Sequence, residues 1–120
     1  RDWDYRLVLD IDASHTDQWN SGAGFDPIGK PGDEFTGAID GNGNTISDLA
    51  IDRIGGNDDN IGLIGRNQGI ITNVTIQNAS VTGDQATGIL VGTNDGGTVR
   101  TSSANGTVTG ISYYVGGLAG

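Results

Sequence analysis

Ile61-Gly62-Leu63-Ile64-Gly65 is answered by Thr87-Gly88-Ile89-Leu90-Val91-Gly92, and again by Val115-Gly116-Gly117-Leu118-Ala119-Gly120. The closing glycines 65, 92 and 120 stand 27 and then 28 residues apart. A self-similar period of this size marks a repeat architecture, in which each copy is one supersecondary unit stacked on the next. Between the closers a second element recurs. Gly69-Ile70-Ile71-Thr72-Asn73-Val74-Thr75-Ile76 aligns with Gly97-Thr98-Val99-Arg100-Thr101-Ser102-Ser103-Ala104, and Gly43-Asn44-Thr45-Ile46 opens a third copy that runs to Ile51. Val81-Thr82-Gly83 and Val108-Thr109-Gly110 follow in the last two copies.

Stacking the copies predicts columns of side chains. They are Ile46, Ile71 and Val99; Leu49, Val74 and Ser102; Ile51, Ile76 and Ala104; and Leu63, Leu90 and Leu118. The second and third columns lie two residues apart, the spacing of one face of a strand. The runs are short, rich in Ile, Val and Thr, and bounded by Gly, Asn or Asp. The expectation is an all-β chain, a parallel β-helix (β-solenoid) of about three coils. Residues 1–33 form a non-repetitive leader or cap, followed by repeats at 34–65, 66–92 and 93–120. Glycine and asparagine at positive φ would turn the corners. The columns shrink toward the end, which predicts a thinner last coil.

Composition agrees. A hydrophobic content of 34% is low for a thick core, and 22 glycines among 120 residues are far above ordinary usage. A solenoid buries only a narrow strip per coil and tolerates both. One Glu, one Lys and no Met leave little to build helices from. The charge is uneven. Residues 1–60 carry 13 acidic and 4 basic side chains, whereas residues 61–120 carry 2 of each. An acidic surface opposes nucleic acid and anionic membranes as partners. No cysteine is present, so disulfides and thiolate metal sites are excluded. No apolar run approaches the roughly 20 residues of a membrane helix, so no membrane insertion is expected. The pattern breaks off in mid-repeat at Gly120, and the chain reads as a fragment of a longer one.

The closers, with the Asp-Gly-Asn-Gly segment at 40–43, resemble the GLUG-repeat family of bacterial surface proteins. The lead-in fits too: Tyr5-x-Leu7, Asp10-Ile11-Asp12-Ala13-Ser14, Trp19, Phe25-x-Pro27-Ile28-Gly29, then Phe35-Thr36-Gly37-x-Ile39-Asp40-Gly41-Asn42-Gly43-Asn44-Thr45-Ile46. The family typically has His at the place of Asn44, Phe at that of Ile64 and Tyr at that of Ser103. The resemblance implies a secreted or surface-anchored protein with adhesin-like architecture, and no catalytic role for the repeat.

The residues themselves offer few sites. Asp40-Gly41-Asn42-Gly43-Asn44 places side-chain oxygens at positions 1, 3 and 5, as a calcium loop begins. Thr45 and Ile51 stand where an EF-hand needs Gly and Glu, so the alternative is a plain tight corner. The run Gly55-Gly56-Asn57-Asp58-Asp59-Asn60 reads as a solvated loop, with Asp58 and Asp59 as the other candidate Ca²⁺ ligands. No other cofactor is called for. Asp10 and Asp12 would share one side of a strand over Leu7–Ile11, a spacing known from glycoside hydrolysis. No Lys or Arg stands near them in sequence, and a half-exposed edge strand explains the same alternation. His15, the one histidine, has no neighbouring ligand cluster and reads as a surface residue.

Trp3 and Trp19 either cluster with Tyr5, Phe25 and Phe35 over the first coil or offer a sugar-stacking platform. Tyr113 and Tyr114 fall in the last, interrupted turn, where exposure would serve adhesion or subunit contact. Asn73, Asn78 and Asn105 stand in Asn-x-Ser/Thr sequons, which Asn/Thr-rich repeats also generate by chance. Recurrent Thr72, Thr75, Thr98 and Thr101 suit a solvated β-face as well as a flat binding array. Two functions follow. One is a structural or adhesive extracellular module, a stalk or end-to-end filament subunit whose partners are neighbouring repeats or other copies. The other is a carbohydrate-binding or polysaccharide-active module meeting host or matrix glycans.

Overall fold

A computed structural model describes residues 4–54, 59–111 and 114–120. Eleven strands lie among them: β1 (Asp4–Arg6), β2 (Ile11–Asp12), β3 (Ala38–Asp40), β4 (Thr45–Ser47), β5 (Ala50–Arg53), β6 (Ile64–Asn67), β7 (Ile70–Thr72), β8 (Thr75–Gly83), β9 (Val91–Asn94), β10 (Thr98–Arg100) and β11 (Ser103–Gly110). They form three parallel sheets that the chain visits in turn. The first sheet runs β1-β3-β7-β10, the second β2-β4-β8-β11 with β5 also on β8, and the third β6-β9. The molecule is a parallel β-solenoid of about three coils behind a non-repetitive N-terminal region.

That region is not set apart from the stack. β1 pairs in parallel with β3, and β2 with β4. Ile28 bridges Ile64, which pairs with Val91, which bridges Ala119. Gly29 therefore heads the column of Gly65, Gly92 and Gly120. Nothing larger fits the inner members of this column. A Cβ on Gly92 would lie 2.6 Å from the Gly65 carbonyl oxygen and 2.6 Å from the Ile61 nitrogen. The recurrent closer is thus a consequence of close backbone packing.

The column Leu63, Leu90, Leu118 is present, one residue before the pairs Ile64–Val91 and Val91–Ala119. The columns expected for the first copy are corrected. Ile39, not Ile46, stacks on Ile71 and Val99. Ile46 stacks on Ile76 and Ala104, while Ile51 stacks on Val81 and Val108. Leu49 precedes Ala50, which pairs with Ser80, so its neighbour is Ala79 rather than Val74. The reason is a corner two residues longer in the first coil: four residues separate Asp40 from Thr45, against two between Thr72 and Thr75. The glycine of Gly43-Asn44-Thr45-Ile46 imitates the true counterpart, Gly37-Ala38-Ile39-Asp40.

Corners use left-handed residues in stacks. Asn73 and Thr101 take φ of 57° and 51° at one, Asp48 and Asn78 take 61° and 55° at the next, and Asn60, Ala86 and Tyr114 take 67°, 50° and 62° at the third. Asn and Asp tolerate this region best among residues with a Cβ. The fourth corner is held by side chains. Asn67 is fully buried, accepts the Gly69 N–H at 3.0 Å and donates to Asn94 Oδ1 at 2.9 Å.

The core peaks in the middle coil, where Ile71, Val74 and Ile76 are wholly buried. Below it the columns taper: Leu49, Ala79, Gly106; Ile46, Ile76, Ala104; Ile64, Val91, Ala119. Each fully buried Ile contributes about 1.5–3 kcal/mol relative to exposure, so the last coil is the least anchored.

Candidate functional site

Leu7–Ile11 is not one strand. Residues 7–10 are a corner between β1 and β2, because the first two sheets of the solenoid meet there, and Ile11 already belongs to β2. Asp10 and Asp12 consequently serve backbone rather than a shared substrate. Asp10 Oδ1 accepts the Thr45 N–H at 2.8 Å, and Asp12 Oδ1 accepts the Ser14 N–H at 2.9 Å. The Ser14 backbone N–H, with its hydroxyl and His15 adding less, holds the Asp12 carboxyl below its usual range.

The candidate calcium corner is similarly committed. Asp40 Oδ1 accepts the Asn42 N–H at 2.8 Å and the Asn73 amide at 3.3 Å. Asn42 Oδ1 takes a hydrogen bond from Arg6 at 2.8 Å, and Asn44 donates to the Leu7 carbonyl at 3.2 Å. The Asn42 N–H first, then the Asn73 amide and the charge of Arg6, keep the Asp40 carboxyl below its usual range. Asn42 and Asn44 thus hold the end of β1 to the corner, and Asp40 ties the corner to the next coil at Asn73. Asp59 lies elsewhere, in a polar groove of about 250 Å³ with Asp26, Lys30 and Arg53. Asp58 falls outside the described residues. Among those described, no group of three His, Cys, Asp or Glu side chains is placed to hold a metal, and no catalytic constellation assembles.

The aromatic leader forms two pairs. Tyr5 and Phe35 have ring centroids 6.5 Å apart, and Trp19 and Phe25 6.4 Å. Phe35 is fully buried at the head of the Asn67–Asn94 corner, bridging Asn67. Trp19 is 49% exposed and interrupts a 3-10 segment over Ser14–Gly22, where Asn20 and Ser21 take positive φ. Trp3 and Tyr113 lie outside the described residues, and Tyr114 is 74% exposed at its left-handed corner. Sequence reasoning missed what these rings surround. Beneath Tyr5 and Trp19 opens an apolar cavity of about 310 Å³, floored by Ile39, Ile46, Leu49 and Val74. A usable signal was Gly24, small where the coil below places Ile51.

On the outer face of the last corner, Arg66 binds Asp95 at 2.9 Å and stands 3.7 Å from Glu34, while Gln68 donates to Asp95 at 3.0 Å. The Gln68 amide and then Arg66 hold Asp95 below its usual range. No helix among the described residues is long and apolar enough to cross a membrane.

The chain is similar to two known proteins. It is 50% identical over 123 residues to halomucin of Haloquadratum walsbyi, covering 97% of this chain and 1% of that protein. It is 39% identical over 101 residues to a protein of Evansella cellulosilytica described as a Gly-rich membrane protein, covering 77% of this chain and 11% of the other. The chain therefore spans a small part of the length of either relative. No family model matches it, and no solved structure does. What fold and comparisons define is a class: a compact, cysteine-free β-solenoid module of the kind set within much longer chains.

Proposed function

We propose that this chain is a structural spacer of an extracellular surface protein, in which the leader closes one end of the solenoid and the third coil passes the stack to a further coil. The observation that carries this reading is the edge of the last coil. β10 and β11 pair on one side only, with β7 and β8. Val115 and Leu118 are 44% and 36% exposed, and Val99 and Val108 are half-buried. An unpaired strand edge over an apolar strip is a template for another strand. Acidic charge crowds the opposite end, so coil addition at the C-terminal edge meets no like-charge barrier beyond Asp95. The small share of each relative that aligns supports a module within a long polypeptide. The word mucin in one name and membrane protein in the other support a setting at the cell surface.

The test is to append a second copy of residues 66–92 after Gly120 and follow amide exchange. The expected result is slower exchange across 97–110, approaching that of 70–83, with a higher thermal midpoint. An added segment that exchanges freely and leaves 97–110 unchanged contradicts the reading.

A second reading, glycan binding, is favoured by the half-exposed Trp19 ring at the kink of the 3-10 segment. Retention on a glycan array that is lost in Trp19→Ala would carry it. An array without hits would remove it.

A further inference from the structure

Three sequons lie on two successive coils, and the fold treats them unequally. Asn73-Val74-Thr75 and Asn78-Ala79-Ser80 belong to the middle coil, and Asn105-Gly106-Thr107 to the last. Attachment of an N-linked glycan needs an asparagine amide nitrogen free to act as nucleophile and a hydroxyl two residues on, both within reach of a transferase.

In the middle coil both amides are spent. Asn73 donates Nδ2 to Asp40 Oδ1 at 3.3 Å, and Asn78 donates Nδ2 to Asp48 Oδ1 at 2.6 Å. A hydrogen bond to a carboxylate costs more to give up than one to a neutral acceptor. Both asparagines also stand in the left-handed region, with φ of 57° and 55°. The residue after each is core: Val74 is fully buried and Ala79 nearly so. Lifting either sequon towards an enzyme pulls that side chain out of the solenoid and opens the coil locally.

Asn105 differs on each count. Its Oδ1 accepts the Asn78 N–H at 2.8 Å, and among the described residues no hydrogen bond engages its Nδ2. Its φ lies outside the left-handed region. Gly106 follows with no side chain to extract, at a bulge where the register of β11 on β8 shifts and leaves Asn105 unpaired. Asn105, Gly106 and Thr107 are all exposed, whereas Thr75 is half-buried. The bond from Asn78 also sets direction. It leans the Asn105 side chain back over the middle coil, so a glycan there leaves the open edge of β11 free for a further coil.

We propose that Asn105 is the N-glycan acceptor of this module. Its Nδ2 forms a bond to C1 of the reducing-end sugar of a glycan carried on a polyprenyl phosphate or pyrophosphate. The C1–O bond to the carrier breaks, the carrier phosphate leaves with the electron pair, and Nδ2 gives up one proton to the transferase and thence to solvent. Nothing is oxidised or reduced. The proposal rests on the extracellular setting of the reading above, since such glycans are added on the outer side of the membrane. The choice among the three asparagines does not rest on it.

The experiment gives the folded full chain to a single-subunit oligosaccharyltransferase with its lipid-linked glycan, alongside peptides 70–83 and 101–110. Trypsin separates the sites, because it cuts after Arg66 and Arg100 and leaves Asn73 and Asn78 in one peptide and Asn105 in the next. In the peptides all three asparagines should accept at comparable rates. In the folded chain Asn105 should accept at least about tenfold faster than either other, the cost of breaking one hydrogen bond to a carboxylate. Asn105→Gln and Thr107→Val should each abolish the modification, and Asn73→Gln should leave it unchanged. Equal rates in the folded chain, a preference for Asn73 or Asn78, or a chain that stays unmodified while the peptides react overturns the proposal. The chain recovered from its own cells should carry a glycan on the peptide that begins at Thr101. Its absence there also overturns the proposal; where the purified chain still accepts at Asn105, the fault lies with the extracellular setting and not with the choice of residue.

Discussion

Thr87 stands in the column Ile61, Thr87, Val115, fully buried, and its hydroxyl finds no hydrogen-bond partner. Leaving a polar group buried and unpaired costs about 1–3 kcal/mol, while an apolar group of the same shape removes that cost. Thr87→Val should therefore raise stability by about 1 kcal/mol, read as a higher urea midpoint at unchanged slope; a loss would show that the hydroxyl is paired. Gly92 and Gly117 make the opposite comparison. A Cβ on Gly92 meets backbone on two sides, but on Gly117 it meets nothing within 4 Å. Gly92→Ala should cost about 1–3 kcal/mol, as overpacking does, and Gly117→Ala should be near neutral. Equal effects would contradict the packing of the glycine column.

At the scale of elements, strands were easier to find than their partners. The Ile/Val/Thr runs and their bounding glycines mark β4, β7, β8 and β10 because solenoid strands must alternate inward and outward side chains. Register was legible where corner lengths are equal, as between β7 and β10. It failed at the first coil, where Asn42 and Gly43 lengthen the corner and Gly43-Asn44-Thr45-Ile46 competes with Gly37-Ala38-Ile39. Corner carboxylates carry a further consequence. Asp12, Asp40, Asp95 and Glu34 are all held below their ordinary values of 3.8 for Asp and 4.5 for Glu, chiefly by backbone N–H donors or, at Asp95, by Gln68. Groups depressed in the folded state stabilise it above the unfolded pKa and cease to do so as pH falls through the folded value. Stability should be level from neutrality to about pH 5 and decline below about pH 4. Asp40→Asn should flatten part of that decline. A protein equally stable at pH 3 and pH 7 would contradict these contacts.

At the scale of the molecule, the class of fold was legible because three closers stand 27 and 28 residues apart. The leader was not legible as part of the stack. Its signal is a lone Ile28-Gly29, set 36 residues before Gly65 rather than one period away. The cavity escaped for the same reason: only once Ile28 is placed on Ile64 does Gly24 come to stand against the larger Ile51. The Asp40-to-Asn44 motif reads as a corner staple in the structure, since Asn42 and Asn44 bond Arg6 and Leu7 while Asp40 bonds Asn73. One stacking order runs from the leader to the last coil. Methyl–methyl nuclear Overhauser contacts in an Ile/Leu/Val-labelled sample test it directly. The account predicts cross-peaks for Ile28–Ile64, Ile64–Val91, Ile39–Ile71 and Ile46–Ile76. Contacts of Ile46 with Ile71 in place of Ile39, or an Ile28 that touches neither Ile64 nor its neighbours, would contradict it.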